Sequence, residues 1–183
     1  MAALDEVAAA PGLRALAEAR RFVGVAEEPP GSNRTLFGRW FGGDGEPWCA
    51  IFLSYCFKVG AGVVLCGGVE AAGVTPKGCA YVPTLEHWLR DTGQWLAAGV
   101  SPRPGDLVVF NWDGGDADHA GIVERALGGG RFASIEGNSE GCVARREHDR
   151  TYVVGFGRIR PYGVALDRGY HGTDELGRDQ EQP

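Results

Sequence analysis

The chain has 183 residues, a length that suits one domain with a hydrophobic core rather than two. Apolar residues make up 44% and charged residues 23%, as in ordinary globular proteins. The formal net charge of −6 argues against general nucleic-acid binding and against adhesion to anionic lipid, because both depend on basic side chains.

The N-terminal segment shows no Sec-type export signal. Asp5 and Glu6 stand where a signal peptide needs positive charge, and no solid apolar stretch follows them. No apolar run in the chain reaches the roughly 18 residues of a membrane helix, so no membrane insertion is predicted. We therefore expect a protein that is made in the cytoplasm, with an N-terminal extension over residues 1–12 and a folded domain over residues 13–162.

Three helices are predicted in the first half of this domain. The first covers residues 13–23 and ends at Gly24. The second begins near Pro47 and ends at Gly60, and its run WCAIFLSYCFKV is apolar on every side, which predicts a buried helix. The third covers residues 83–90 and ends before Gly93.

The second half of the domain changes to short β-rich runs separated by turn residues. Strands are predicted over residues 107–112, 119–126, 131–136, 142–146 and 152–159. Helices followed by strands predict an α+β fold, with the helices on one face of an antiparallel sheet. Residues 163–183 are polar and aperiodic, and are predicted to form a flexible tail or a docking segment.

Cys49 is the first candidate for chemistry, because the segment PWCA places it in the first turn of the buried helix. Free N–H groups and the helix dipole at such a position favour a thiolate, which is the nucleophilic form, and the same N–H groups can stabilise an oxyanion. A buried structural cysteine fits the sequence equally well, so both interpretations stay open at this point. Cys56 lies within the same helix among apolar residues and is predicted to be an inert core thiol.

The second candidate is His119, in the segment DHAGIV, which opens a strand after a polar loop. If residues 119–126 and 131–138 form a hairpin closed by residues 127–130, Ala126 faces Arg131 and His119 faces Asn138. Glu136 then lies diagonal to His119 on the same face of the sheet.

In that arrangement Glu136 or Asn138 can hold the imidazole in its productive tautomer, the orienting role in a catalytic triad. Each residue also has an ordinary interpretation. His119 fits a surface loop, Glu136 fits a solvated strand end, and Asn138 fits a turn. Their joint occurrence with Cys49 favours a catalytic site.

These segments together resemble the CHAP domain, as found in phage lysins and related bacterial wall hydrolases. The resemblance rests on PWCA, RPGDLVVFNW, DHAGIVE, SIEGN and GFGRI, in the family's order and spacing, and it covers about residues 13–162. It implies a papain-like α+β fold with a sheet of five to six strands. The NlpC/P60 group fits less well, because Trp48-Cys49-Ala50-Ile51 departs from its Asp-Cys-Ser-Gly signature.

The resemblance also implies roles for particular residues. Cys49 is the nucleophile, His119 the general base and then acid, Glu136 the group that orients His119, and Asn138 an assisting residue. Trp48 is expected to form a wall of the cleft, and Trp112 joins it as a substrate-binding residue.

No cofactor is implied by the resemblance. Some CHAP domains bind calcium ahead of the cysteine, but here only Asp44 and Glu46 stand there, too few for the six to eight oxygens that calcium takes. The five cysteines include no C-x-x-C pair, and reduced thiols are expected, with a Cys66–Cys79 bridge as the alternative.

The implied function is hydrolysis of bacterial peptidoglycan, either as an N-acetylmuramoyl-L-alanine amidase or as an endopeptidase of the peptide stem or cross-bridge. Two alternatives stay open: a cysteine peptidase or transferase acting on other proteins, and an idle structural module of a phage tail or injection machine. We expect a monomeric catalytic module that is phage-encoded or injected and reaches the cell wall through a holin, a phage tail or an injection machine.

Overall fold

The computed structural model describes residues 10–160. The predicted tail over residues 163–183 and most of the predicted N-terminal extension lie outside the described residues, so both stay predictions. Within the described part, no helix is long and apolar enough to cross a membrane.

The described chain combines helices and strands, as the α+β prediction requires: the helices precede the strands of the main sheet, and two short strands stand before the last helix. The helices are α1 (Pro11–Arg20), α2 (Leu36–Phe41), α3 (Cys49–Tyr55) with a π-helical continuation (Cys56–Gly60), and α4 (Val82–Asp91). The strands are β1 (Val74–Thr75), β2 (Gly78–Cys79), β3 (Trp95–Ala97), β4 (Leu107–Phe110), β5 (His119–Gly128), β6 (Arg131–Ser139), β7 (Cys142–His148) and β8 (Val153–Gly157).

The main sheet has six antiparallel strands in the order β3-β8-β4-β5-β6-β7, which confirms the predicted fold class. Strands β1 and β2 form a separate two-stranded sheet. The sequence patterns missed α2, β1, β2 and β3, because segments of two to six residues carry too little periodicity to be recognised.

The two faces of the main sheet bury different sets of side chains. One face packs against the helices in the larger core, through Leu107, Val109, Ala120, Ile122 and Ile135. The other face holds a smaller apolar cluster of Val108, Phe110, Val123, Phe132, Val153 and Phe156. His119 pairs with Phe110, so it belongs to the face with the smaller cluster.

The hairpin between β5 and β6 differs from the predicted one at its turn and agrees with it near the site. Gly128 pairs with Arg131, so only residues 129–130 close the turn, and Ala126 faces Phe132 rather than Arg131. Two irregularities then each add one residue to β5. Together they restore the expected register at the pair Ile122–Ile135, three positions from His119.

Helix α3 is fixed against the sheet and against the small β1–β2 sheet by close contacts. Gly137 of β6 lies so near the buried Phe52 that a Cβ atom on Gly137 would stand 2.5 Å from the Phe52 Cβ. Ser54 accepts a hydrogen bond from the Cys79 N–H at 3.0 Å and donates one to the Cys79 carbonyl at 2.8 Å. These contacts set the position of the helix end that carries Cys49.

We predict that Gly137→Ala destabilises the domain, because the new methyl group must push α3 away from β6. Overpacking of this kind costs about 1–3 kcal/mol. Urea denaturation measures the free energy of unfolding. The control is Gly99→Ala, since a Cβ there meets nothing within 4 Å and its cost should stay within about 0.5 kcal/mol. Equal stability of both variants would contradict the tight contact.

Candidate active site

Cys49 is the first residue of α3 and lies at the wall of a cavity. Its side chain is almost buried, with 5% of the residue exposed, and the cavity beside it has a volume of about 730 Å³. Trp48 precedes it as the N-cap residue, with φ −123° and ψ 16°, which is neither helical nor extended. The local geometry therefore places the thiol at a helix start that faces open space, as the segment PWCA predicted.

The ring of His119 connects Cys49 to Glu136. His119 is the first residue of β5 and is 7% exposed. Its Nε2 lies 3.0 Å from Glu136 Oε2, and the Cys49 side chain lies close enough to the ring to raise its pKa. Because Nε2 is engaged by Glu136, Nδ1 is the nitrogen left for the thiol. The structure thus brings together three of the predicted site residues.

Opposing effects act on the pKa of His119. Burial lowers it, whereas the hydrogen bonds and charges of Cys49 and Glu136 raise it, and the net result is a pKa of about 9. The ring is therefore a stronger base than an ordinary histidine, and it holds its proton at neutral pH.

Glu136 is a buried carboxylate that stays ionised. Burial raises its pKa, but hydrogen bonds from His119, His148 and Ser134 outweigh that effect and lower the pKa to about 2. Only 2% of Glu136 is exposed. Gly121 makes room for it, because a Cβ on Gly121 would stand 2.6 Å from Glu136 Cγ.

Asn138 and Trp112 lie beside His119 in a second cavity of about 260 Å³. The Trp112 and His119 rings are 4.9 Å apart between centroids, and 43% of Trp112 is exposed. Asn138 has a left-handed φ of 57°, which asparagine adopts more readily than most residues. The expected direct pairing of Asn138 with His119 is not among the register pairs of β5 and β6. Trp112 therefore borders the open space beside His119.

Trp48 does not form a wall of the cleft, and that expectation is wrong. Its side chain is fully buried, stacks on Phe37 with ring centroids 5.6 Å apart, and donates from Nε1 to Glu27 Oε1 at 3.0 Å. Glu27 also accepts a hydrogen bond from the Asn33 N–H at 3.1 Å. Trp48 therefore anchors the start of α3 in the core, where it positions the neighbouring Cys49.

The two acidic residues considered for calcium have different surroundings. Asp44 accepts a hydrogen bond from the Thr35 N–H at 3.0 Å and lies 3.9 Å from Arg39. Glu46 borders the cavity beside Cys49. Among residues 10–160, no group of three or more His, Cys, Asp or Glu side chains is arranged to hold a metal ion.

The other cysteines are free thiols in this structure, so the alternative of a Cys66–Cys79 bridge is not realised. A hydrogen bond with Cys79, followed by burial, raises the pKa of the Cys66 thiol. Cys56 is fully buried, and that burial raises its pKa well above the usual range. A thiol of this kind is inert at neutral pH, which agrees with the expectation for Cys56.

Two partners of Glu136 were missed by the sequence patterns. Ser134 Oγ donates to Glu136 Oε1 at 2.5 Å, and His148 Nε2 lies 2.6 Å from the same oxygen. Ser134 shares strand parity with Glu136, which is a signal that could have identified it. His148 is the last residue of β7, two positions beyond the predicted end of that strand.

The chain matches known proteins in sequence family and in fold. A family model described as "CHAP domain" matches residues 41–138. Among solved structures, "The crystal structure of Ly7917" is 20% identical with a TM-score of 0.48, and "The crystal structure of Ly7917 with the hydrolyzing product of MDP" is 22% identical with a TM-score of 0.50. In both comparisons the match covers 82% of this chain and 62% of the other, so the chain spans less than two thirds of that protein's length. None of the curated proteins matches the chain.

We predict that NMR titration of the four histidines finds His119 with an apparent pKa near 9, and that Glu136→Gln lowers this value. The neutral amide removes one of the two partners that favour the charged ring. His119→Gln assigns the resonance. A value near 6.5 in both proteins would contradict the site geometry.

The same shifts predict how stability depends on pH. The raised pKa of His119 stabilises the fold fully below about pH 6.5, and this contribution is lost as pH rises through about 9. The lowered pKa of Glu136 stabilises the fold above about pH 4.5, and this contribution is lost as pH falls toward 2.

Proposed function

We propose that this chain, which belongs to the CHAP domain family, hydrolyses amide bonds in the peptide part of bacterial peptidoglycan with Cys49 as its nucleophile. Membership of that family indicates a hydrolase of the cell wall. The single observation that supports the cysteine mechanism best is the position of His119, which is hydrogen-bonded to Glu136 and lies close enough to Cys49 for the thiol to raise the pKa of the ring. The shared fold with a protein described with the hydrolyzing product of MDP is consistent with a wall substrate.

The proposed reaction begins from a thiolate of Cys49 paired with the protonated ring of His119, the charged state that the raised pKa of His119 favours. The thiolate attacks the amide carbonyl carbon, and the N–H groups at the start of α3 stabilise the oxyanion. The C–N bond then breaks as His119 protonates the leaving amine, which leaves a thioester on Cys49. His119, now neutral, takes a proton from a water molecule that attacks the thioester carbonyl. The C–S bond breaks, and the thiolate of Cys49 and the protonated ring are restored.

The remaining predicted residues support these steps. Glu136 orients the ring of His119 and stabilises its charged form, as the acid does in other catalytic triads. Asn138 and Trp112 border the smaller cavity beside His119. We propose that they contact the substrate there.

We predict that Cys49→Ala abolishes lysis of purified cell walls, with a loss of roughly a thousandfold or more, because no other thiol faces His119. Turbidity of a wall suspension measures lysis. The matched control is Cys56→Ala, which removes a fully buried thiol of the same helical segment and should retain activity. Equal activity of the two variants would reject Cys49 as the nucleophile.

Mass spectrometry of the fragments released from cell walls identifies the bond that is cut. Cleavage of proteins with no release of wall fragments would favour the alternative function, a peptidase that acts on other proteins.

The charge of the cleft beside Cys49 favours substrates with a free amino group near the scissile amide. Glu46, Asp113, Asp116 and Asp118 all border this cavity. Its lining, as far as the described residues form it, includes no basic side chain. An ammonium group gains attraction to this set of carboxylates, whereas a carboxylate of the substrate is repelled.

We predict that Glu46→Gln and Asp116→Asn each raise the KM for wall fragments by about two- to fivefold, the size expected for an exposed charge. Acetylation of the amino groups of the fragments should produce the same rise with the unmodified enzyme. Asp91→Asn, an exposed change in α4, serves as the control. An unchanged KM with acetylated fragments would show that the cleft does not select for an amine.

A further inference from the structure

We propose that His148 is a positioning residue, which holds the carboxylate of Glu136 in the orientation that His119 requires. The proposal rests on the proposed function in one respect, namely that His119 and Cys49 act as a pair. No sequence motif includes His148, and it was not among the predicted site residues.

The two oxygens of Glu136 have separate partners. Oε2 faces His119 at 3.0 Å, whereas Oε1 is shared by Ser134 Oγ at 2.5 Å and His148 Nε2 at 2.6 Å. Because Glu136 is ionised, it only accepts hydrogen bonds, so His148 must donate from Nε2. Two donors on Oε1 prevent the carboxylate from rotating away from His119.

His148 is itself held in place by aromatic side chains. Its ring centroid lies 4.6 Å from that of Phe110 and 5.7 Å from that of Phe132, which is also its register partner across β6 and β7. Only 21% of its side chain is exposed. A histidine that is packed in this way can fix the direction of a hydrogen bond better than a mobile surface residue can.

His148 is hydrogen-bonded to Glu136, whereas the other charged groups near it have interactions of their own. Arg146 and Glu140 border the same small cavity, but Arg146 is engaged by Ser139 at 2.8 Å and by Glu140 at 2.8 Å. Asp149 follows His148 in the chain; hydrogen bonds with Thr151 are the main cause of its lowered pKa, and His148 adds a smaller electrostatic effect. His119 lies on the other oxygen of the shared carboxylate.

Two polar substitutions of His148 distinguish a positioning role of this residue from a merely space-filling one. In His148→Gln the amide nitrogen stands near the position of Nε2 and can donate to Glu136, whereas in His148→Asn the shorter side chain cannot reach it. The readout is the rate at which iodoacetamide alkylates Cys49 at pH 6, followed by mass spectrometry of the Cys49 peptide. An ordinary thiol is almost fully protonated at that pH, so the rate reports the pairing of Cys49 with His119.

We expect His148→Asn to slow alkylation roughly tenfold or more, the effect of losing a hydrogen bond to a charged group. His148→Gln should stay within about threefold of the unmodified chain, and the difference between the two variants should vanish in a Glu136→Ala background. An unchanged rate in His148→Asn, an equal loss in both variants, or a difference that persists without Glu136 would each overturn the proposal.

Circular dichroism checks that each variant is folded, and the matched pair decides the question even where Glu136→Ala does not fold. Alkylation needs no wall substrate. A chain that shows the expected alkylation pattern but releases no wall fragments would therefore count against the proposed function alone.

Discussion

The whole site depends on one buried, ionised carboxylate, that of Glu136. Removing a carboxylate from water is costly unless hydrogen bonds replace the lost hydration. Glu136 meets this requirement with three donors, from β5, β6 and β7. The sheet must therefore bring three strands into register at one point, and that point is also where His119 begins its strand.

The helix that carries Cys49 depends on contacts rather than on its own length. Helix α3 has seven residues before its π-helical continuation, and a helix this short is marginal without tertiary packing. At one end, Trp48 is hydrogen-bonded to Glu27. In the middle, Phe52 packs closely against Gly137 of β6, and further along Ser54 is hydrogen-bonded to Cys79. These contacts fix the thiol relative to the ring of His119.

Much of this site could be predicted because its residues are marked by local patterns. A cysteine after proline at the start of an apolar run, and a histidine at the start of a strand, are both visible in a short window. The shared face of His119 and Glu136 followed from strand parity, although the hairpin turn was placed wrongly and two irregularities of β5 compensated for it. The family resemblance then joined these segments into one site.

The features that the sequence did not reveal depend on partners far apart in the chain. Trp48 was placed at the cleft although its helix was predicted to be buried, because its partner Glu27 lies 21 positions earlier. His148 lies beyond the predicted end of β7, and its partner Glu136 is 12 positions away on another strand. Helix α2 and strand β3 are too short for periodicity to indicate them. Such contacts become visible only when the fold assembles them.

The most direct test of the central claim compares the alkylation of Cys49 with that of Cys142, the one partly exposed thiol among the five. The comparison uses the full chain at pH 6, with and without His119→Ala, and follows each cysteine peptide by mass spectrometry. The pairing of thiol and imidazole predicts that Cys49 reacts much faster than Cys142 although it is more buried, and that the advantage disappears in His119→Ala. A Cys49 that reacts no faster than Cys142, or whose rate does not depend on His119, would contradict the account.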